Sequence, residues 1–345
     1  MNFEHTREER DLFLSLETIL GTHPDEHPKA LINLLSDTGY TTLDAPGLAT
    51  ALPGAQERLA QWNPTAYRTV EYGLRIAAPL MERFGQKSWQ AEWVAPVQSG
   101  KTLATAAFET PPGAKGLTGT PHTNETFISG TLTGIPGADI ADLIVAAGTV
   151  DEAPALFLIE QGTPDISLTR GATGLFTLTA RGASLAHTHV TVLEPSAPMA
   201  SLLTLLKTQL QASEATGHAA ALFEQAKKAA KTKPGGGKPP IARQEVGFTL
   251  ATMYTLLQTS RLMNANASAL IATEESDAAM AAHCARVFCS DAAEEIVSSA
   301  LSVMGEQGFE KGGPADRLAT IQALRVEGAS VGQTKEAIGN MLLKY

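Results

Sequence analysis

The segment from Glu327 to Gln333 places a carboxylate beside the start of a helix. Ser330 precedes a helical pattern and Gln333 follows three residues later, so a capping box is expected with Ser330 as the N-cap. Glu327 lies in the Glu-Gly turn before it, where free N–H groups favour an anionic ligand. The carboxylate is either a catalytic base or an acid that neutralises the helix dipole. Taken alone, the spacing favours the second role.

A second candidate feature is a group of five lysines around the loop KTKPGGGKPP. This loop cannot be helical, because proline lacks an N–H donor and consecutive glycines lose the most backbone entropy. Lysines at a helix end usually complement the helix dipole and are solvated. The alternative is that some of them hold a phosphorylated cofactor whose oxygens approach the glycine N–H groups. The lysines are Lys227, Lys228, Lys231, Lys233 and Lys238.

Two further patterns of reactive residues do not predict a site. The segment QSGKT, from Gln98 to Thr102, lacks the first glycine of a phosphate-binding loop, since Ala95 stands there. His187 and His189 lie two residues apart on a predicted strand and would share one face, as metal ligands can. No carboxylate or cysteine in the neighbouring sequence completes a ligand set, so no metal site is predicted.

Composition and charge indicate the class of protein. A chain of 345 residues at roughly 150 residues per domain suggests about two domains. With 26 basic and 36 acidic residues the net charge is -10, which repels nucleic acid and anionic lipid. The two cysteines, Cys284 and Cys289, are typical of small buried side chains in a reducing cytoplasm. No signal-peptide pattern and no long apolar run are present, so a cytoplasmic protein without a membrane span is expected.

The hydrophobic periodicity divides the chain into three predicted domains. Residues 1–95 show a helical period, with one helix stopping at Gly21 and another running from Thr65 to Met81. Residues 96–195 contain short apolar segments separated by Gly, Pro and Asp, which predict a β domain. Residues 196–345 return to the helical period and predict a four-helix bundle. The expected strands are ATAAFE, TFISGTL, DLIVAAG, ALFLIE and GLFTLTA, and the expected bundle helices cover 202–230, 246–272, 278–304 and 333–345.

Several motifs between about residue 90 and the end of the chain resemble those of the acyl-CoA dehydrogenase family, and they follow one another in the family's order. Residues 300–318, ALSVMGEQGFEKGGPADRL, are similar to the family segment Q-V-x-G-G-x-G-[YF]…P-x-x-R. Residues 327–333, EGASVGQ, resemble E-G-T-S-E-I-Q, and residues 237–244, GKPPIARQ, resemble G-x-P-[IL]-x-x-[FY]-Q. The positions that keep the family residue are Gly237, Pro239, Gln244, Gly305, Gly308, Phe309, Pro314, Arg317, Glu327, Gly328, Ser330 and Gln333.

The resemblance implies an α+β fold with an N-terminal helical domain, a central β-barrel and a C-terminal four-helix bundle. It also implies a flavoprotein that uses FAD to oxidise an acyl-CoA thioester to the α,β-enoyl product. A carboxylate takes the α-proton and the β-hydrogen passes to the flavin as hydride. By this resemblance the base is Glu327, because the family's alternative position, ten residues before Gly217, holds Lys207. The implied cofactor-binding residues are Lys233, Gln244, Gly305, Gly308 and Ser330.

Five departures from the family pattern affect the implied flavin site. The family's R-x-Q-F-G reads KPGGG at residues 233–237, so the guanidinium fork and the aromatic ring are both missing. Ser302 replaces the adenine-side glutamine, Ala329 replaces a threonine and Val331 replaces an acid. The Trp-Ile-Thr/Ser motif has no counterpart, and the Thr-Glu-Pro turn reads Glu-Thr-Pro at residues 109–111.

Three hypotheses follow from these departures. The leading one is a subunit of a heteromeric acyl-CoA dehydrogenase, in which a flavin-binding partner subunit completes the FAD site and electron-transfer flavoprotein accepts electrons from the active assembly. The second is a self-sufficient homo-oligomer in which Glu327 is the base and the lysines replace the lost arginine. The third is a scaffold that retains only the fold, since a fold does not by itself imply a function.

Overall fold

A computed structural model describes residues 6–23, 26–43, 51–232 and 237–343, which form two compact units. The helical unit contains Met1–Pro24, Leu43–Pro64 and Thr208–Tyr345. The sheet unit contains Asp25–Thr42 and Thr65–Lys207. These units are defined by packing, and the three sequence domains at 1–95, 96–195 and 196–345 stay a prediction.

Helices occupy most of the described chain before the sheet, as the periodicity predicts. The helix expected to stop at Gly21 ends one residue later. The helix expected from Thr65 to Met81 is confirmed, but its middle, Tyr72–Ala77, is a π-helix. Position 73 of this π segment requires a glycine, because a Cβ there would lie 2.5 Å from the carbonyl oxygen of Ala104. The helices are α1 (Arg7–Thr22), α2 (Pro28–Ser36), α3 (Leu52–Trp62), α4 (Pro64–Glu71), α5 (Ala78–Phe84), α6 (Lys87–Trp89) and α7 (Ala95–Gln98).

The sheet unit contains one mixed sheet of eight strands. Its strands pair in the order β6-β7-β3-β2-β4-β5-β8. The remaining strand, β1, pairs in parallel with β4, along the same side of β4 that pairs with β2. The apolar side chains of the central strands form its core, with Leu132, Phe157 and Leu178 fully buried. The strands are β1 (Ala104–Ala107), β2 (Thr118–Pro121), β3 (Glu125–Ile135), β4 (Leu143–Val150), β5 (Ala153–Glu160), β6 (Ile166–Arg170), β7 (Phe176–Ala186) and β8 (Val190–Val192).

The five expected strands are confirmed as β1, β3, β4, β5 and β7, but the expected closed barrel is corrected to an open sheet. Closing a barrel requires the two end strands to pair. Among the described strands, β6 pairs with β7 and β8 pairs with β5, and these two end strands do not pair with each other. The end strand β8 has three residues, which offers little edge for such a pairing.

The expected strand position of His187 and His189 is wrong, because residues 187–189 form a short 3-10 turn between β7 and β8. Two side chains hold this turn through its carbonyl groups. Gln86 donates to the carbonyl oxygen of His187 at 2.9 Å, and the Trp89 indole donates to that of Thr188 at 2.7 Å. The His187 ring lies 3.0 Å from the carbonyl oxygen of His122.

The four expected bundle helices are confirmed, and the structure adds a fifth. The long helix α8 crosses the boundary between the two units at Lys207. In the helical unit, α8 packs closely on α3 at Gly217, where a Cβ would lie 2.5 Å from the Cβ of Ala60. The added helix is α11. The helices are α8 (Met199–Lys231), α9 (Gln244–Ala272), α10 (Ala278–Met304), α11 (Pro314–Val326) and α12 (Val331–Leu342).

Candidate functional site

Glu327 lies at the end of α11, in the turn that leads into α12. Its N–H still donates to the carbonyl oxygen of Ala323 at 3.0 Å, so it is the last residue tied into the helix. Gly328 follows with a φ of 65°, a conformation that favours glycine because it has no Cβ. The Glu-Gly pair therefore ends α11 and redirects the chain within two residues.

The far side of this turn is fixed by a capping box, as the sequence predicts. The Gln333 N–H donates to Ser330 Oγ at 3.2 Å, and the Ser330 N–H donates to Gln333 Oε1 at 2.8 Å. The buried Thr334 hydroxyl adds a bond to the Ser330 carbonyl at 3.0 Å. These reciprocal bonds satisfy two of the free N–H groups at the start of α12. Ser330 is thus confirmed as the N-cap.

A residue that the sequence did not single out holds the turn from α8. Gln211 is buried in the helical unit, and its Nε2 donates to the carbonyl oxygen of Glu327 at 3.2 Å. The two residues are 116 positions apart, so no local pattern could have linked them. The backbone of Glu327 is therefore fixed from α11 and from α8.

The retained Arg317 ties the other end of α11 into the same unit. Its Nη1 lies 3.0 Å from His218 Nδ1, and its Nη2 donates to the carbonyl oxygen of Gln61 at 3.1 Å. Because a guanidinium only donates, His218 Nδ1 must accept, which leaves the ring proton on Nε2. That nitrogen faces the buried Glu214 carboxylate at 3.6 Å. Desolvation by burial lowers the pKa of Arg317 from its usual value.

The residues implied as cofactor contacts lie at several helix ends of the helical unit. Gln244 is the exposed first residue of α9, and Gly305 ends α10 with a φ of 58°. Gly308 is buried in the 3-10 turn after α10, where a Cβ would lie 3.0 Å from Leu301 Cδ2. Ser330 shares the turn of Glu327, whereas Lys233 lies outside the described residues. Their cofactor roles stay predictions.

Three positions at which the resemblance implies a flavin contact carry side chains that differ from the family pattern. The hydroxyl of Ser302 donates at 3.1 Å to the carbonyl oxygen of Ser298, on its own helix. Ala329 has no polar side-chain atom, and Val331 is apolar and buried. At these three positions the polar group of the family pattern is therefore either absent or replaced by a hydroxyl that bonds within its own helix.

The position that could supply an alternative base is occupied by a buried ion pair in the sheet unit. Lys207 Nζ donates to the Glu109 carboxylate, and it lies 5.7 Å from the centre of the Phe108 ring. An ammonium group that donates to a carboxylate cannot accept a proton from a substrate. Lys207 therefore offers no base, which leaves Glu327 as the candidate.

Other reactive side chains in the helical unit are few. Cys284 and Cys289 are free thiols on α10, and burial raises the pKa of Cys289 to about 11. In the ranges that the structure describes, no three His, Cys, Asp or Glu side chains group as metal ligands. No helix of the described chain combines the length and apolar character needed to cross a membrane.

Comparisons with known proteins find matches to the C-terminal region of the chain and to its fold. Residues 208–330 match the family model for the acyl-CoA dehydrogenase C-terminal domain. The chain is 27% identical over 284 residues to the mitochondrial short-chain specific acyl-CoA dehydrogenase of Bos taurus, covering 76% of this chain and 68% of the bovine protein.

Two solved structures show the same fold at low identity. The ChsE4-ChsE5 complex of Mycobacterium tuberculosis matches with a TM-score of 0.85 at 20% identity, covering 100% of both chains. Butyryl-CoA dehydrogenase of Megasphaera elsdenii matches with a TM-score of 0.87 at 19% identity, covering 99% of this chain and 100% of that one. The resemblance read from the motifs is confirmed: residues 208–330 match the C-terminal domain of the acyl-CoA dehydrogenase family, and the chain shares the fold of solved structures that include an acyl-CoA dehydrogenase.

Proposed function

We propose that this chain is one subunit of a heteromeric acyl-CoA dehydrogenase in the cytoplasm, and that Glu327 is its catalytic base. The observation that carries the proposal is the fixed turn around Glu327. Gln211 holds its backbone from α8, and the Ser330–Gln333 capping box fixes the start of α12 three residues later. A base must be held in one geometry to be effective, and this turn supplies that geometry.

The chemistry assigned to this chain is proton transfer. The α-proton of an acyl thioester is weakly acidic, so its removal needs a positioned carboxylate and donors that stabilise the enolate oxygen. The Glu327 carboxylate would take the proton. Lys207 is engaged with Glu109 and is not a competing base.

The flavin is assigned to a partner chain. When bound, FAD would accept the β-hydrogen as hydride, a step that no side chain can perform. The groups at Ser302, Ala329 and Val331 do not form its seat. The solved relative named as a complex of ChsE4 with ChsE5 supports an assembly of two different chains for this fold. A flavin-binding dehydrogenase subunit is thus the proposed partner, acyl-CoA the proposed substrate and electron-transfer flavoprotein the proposed electron acceptor.

The helical unit has an exposed apolar surface that suits such a partner. Over 29 residues, α9 carries only two charged side chains, Glu245 and Arg261, yet Phe248 is 64% exposed and Tyr254 is 51% exposed. A groove of about 970 Å³ lies between α9, α10 and α12 of the same unit. Exposed apolar side chains and an apolar groove of this kind favour a protein interface. The groove is lined in part by Leu262, Met263, Leu270, Met280, Met341 and Leu342.

The test compares the chain purified alone with the chain purified together with its neighbouring gene product. We expect the single chain to be colourless, and the pair to be yellow and to reduce an artificial acceptor with acyl-CoA substrates. A yellow, active homo-oligomer of this chain alone would contradict the heteromer and favour the self-sufficient enzyme. A colourless pair that shows no thermal shift with acyl-CoA would favour the scaffold.

The base assignment is tested by Glu327→Gln in the assembled pair. We expect turnover to fall by about 10²- to 10⁴-fold while flavin content stays unchanged. Glu310→Gln, at an exposed glutamate outside the Glu327 turn, is the control and should retain activity. Retained turnover in Glu327→Gln would remove that residue from the mechanism.

A further inference from the structure

The carbonyl end of α11 receives a buried arginine from α10. The last carbonyl groups of a helix have no partner within it. Here the carbonyl oxygen of Leu324, three residues before Glu327, accepts from Arg286 Nη2 at 2.6 Å. Arg286 is 1% exposed, and its Nη1 donates to Ser290 Oγ at 2.9 Å. Its guanidinium is therefore held by α10 and directed at the end of α11.

Burying a guanidinium costs free energy that an apolar side chain of similar size would not cost. The negative end of the α11 dipole and the free carbonyl of Leu324 offset part of that cost, because a cation is favourable at a helix C-terminus. A second arginine, Arg325, also joins α10 and α11, but through side chains only. Its Nη1 lies 2.6 Å from Asp291 and 3.2 Å from Glu294. Of the two arginines, only Arg286 donates to a backbone carbonyl group in the last turn of α11, which leads into Glu327.

We propose that Arg286 is a positioning residue for the Glu327 carboxylate. It fixes the backbone at Leu324, and Gln211 fixes it at Glu327 itself, so the stretch between them has two anchors from two different helices. Without Arg286 the last turn of α11 can fray, because its terminal carbonyl groups then turn to water. The carboxylate would lose its single orientation. This role rests on the proposed function of Glu327 as the base.

The experiment uses the purified two-chain complex with Arg286→Met, Arg286→Lys and the control Arg325→Met. We expect Arg286→Met to lower kcat by about 10- to 100-fold with KM changed by less than about twofold, since a displaced catalytic group costs rate rather than affinity. Arg286→Lys keeps the cation and one donor, and should recover a large part of the loss. Arg325→Met removes a cross-helix ion pair and should keep kcat within about twofold of the parent.

A pH profile separates positioning from a general structural role. In Arg286→Met we expect the acid limb of kcat to move by at least about half a pH unit, because the base sits in a changed environment. A loss of packing alone would lower the amount of active complex and leave that limb in place. The limb should stay in place in Arg325→Met.

The outcomes distinguish the positioning role of Arg286 from the proposed role of Glu327 as the base. If Glu327→Gln leaves turnover unchanged, the base assignment fails, and the role of Arg286 fails with it. If Glu327→Gln abolishes turnover but Arg286→Met keeps the parent kcat and acid limb, only the positioning role is overturned. If Arg286→Met does not assemble, Arg286→Gln, which keeps a donor but loses the cation, decides the question. A reduced kcat with unchanged KM supports the role, and a kcat equal to the parent overturns it.

Discussion

Lys207 and Glu109 form an ion pair inside the sheet unit, with the lysine side chain 7% exposed and the glutamate side chain 22% exposed. The lysine comes from α8, and the glutamate follows β1 and pairs its backbone with Thr133 of β3. The pair therefore ties the start of the long helix to the sheet. It also places a cation where the family's alternative base would stand.

Removing one partner of this pair should be costly. Lys207→Met leaves the Glu109 carboxylate mostly buried without its cation, and we expect the free energy of unfolding to fall by about 3 kcal/mol. Adding Glu109→Gln should recover most of the loss. Lys227→Met is the control, because the exposed Lys227–Glu224 pair contributes less than about 1 kcal/mol. Urea unfolding measures the three variants and the parent. A cost for Lys207→Met no larger than that of the control would contradict the prediction.

The capping box gives a second prediction. Ser330→Ala removes the oxygen that accepts from the Gln333 N–H, and we expect a loss of about 1 kcal/mol in stability. Ser330→Thr keeps the hydroxyl and should retain most of it. Thermal unfolding followed by circular dichroism measures the difference. An alanine variant as stable as the threonine variant would show that the cap contributes nothing.

The two cysteines should react at very different rates. Burial raises the pKa of Cys289 to about 11, so at pH 8 only about one thiol in a thousand would be ionised even if reagent could reach it. Cys284 is half-buried. In folded protein, iodoacetamide should therefore modify Cys284 alone, and Cys284→Ser should abolish modification until urea is added. Mass spectrometry of the intact chain reads the result. Rapid labelling of folded Cys284→Ser would refute the burial of Cys289.

His283 should make stability sensitive to acid. Burial lowers the pKa of His283 in the folded state, and its Nδ1 has no hydrogen-bond partner among the described residues. Below about pH 6.5 the unfolded chain therefore binds a proton at this residue that the folded chain resists, and stability falls as the pH decreases. His283→Gln should reduce the drop in Tm between pH 7.5 and pH 5.5. The exposed His122→Gln serves as the control, and equal drops in both variants would exclude this cause.

Long periodic segments made most of the fold predictable. The helices α8, α9 and α10 each extend over more than seven turns, so their period is visible in the sequence alone. The fifth helix, α11, has only thirteen residues, from Pro314 to the Glu-Gly turn, and buries few large apolar side chains, so its period is weak in the sequence. The strands that the sequence did not predict, β2, β6 and β8, have three to five residues and mostly exposed side chains. Short strands with mostly exposed side chains carry little hydrophobic pattern in the sequence.

The candidate site was predictable only where its contacts are local. The Ser330–Gln333 cap spans three residues and follows from a motif. The bonds from Gln211 and Arg286 to the turn of Glu327 span 116 and 38 residues, and they depend on how helices pack. The open sheet is a further example, because whether β6 and β8 meet is decided by sheet curvature rather than by any one strand.

The long stretch of α9 between Glu245 and Arg261, which has no charged residue, affects how the protein can be produced. A helix that presents Phe248 and Tyr254 to water, with no charged residue in its sequence between Glu245 and Arg261, is a site for self-association as soon as the chain leaves the ribosome. Synthesis in excess of the proposed companion would therefore direct the surplus into aggregates. Under the proposed heteromer, matched production of the two polypeptides would keep these side chains covered, so the stoichiometry of expression would affect how much of the chain stays in solution.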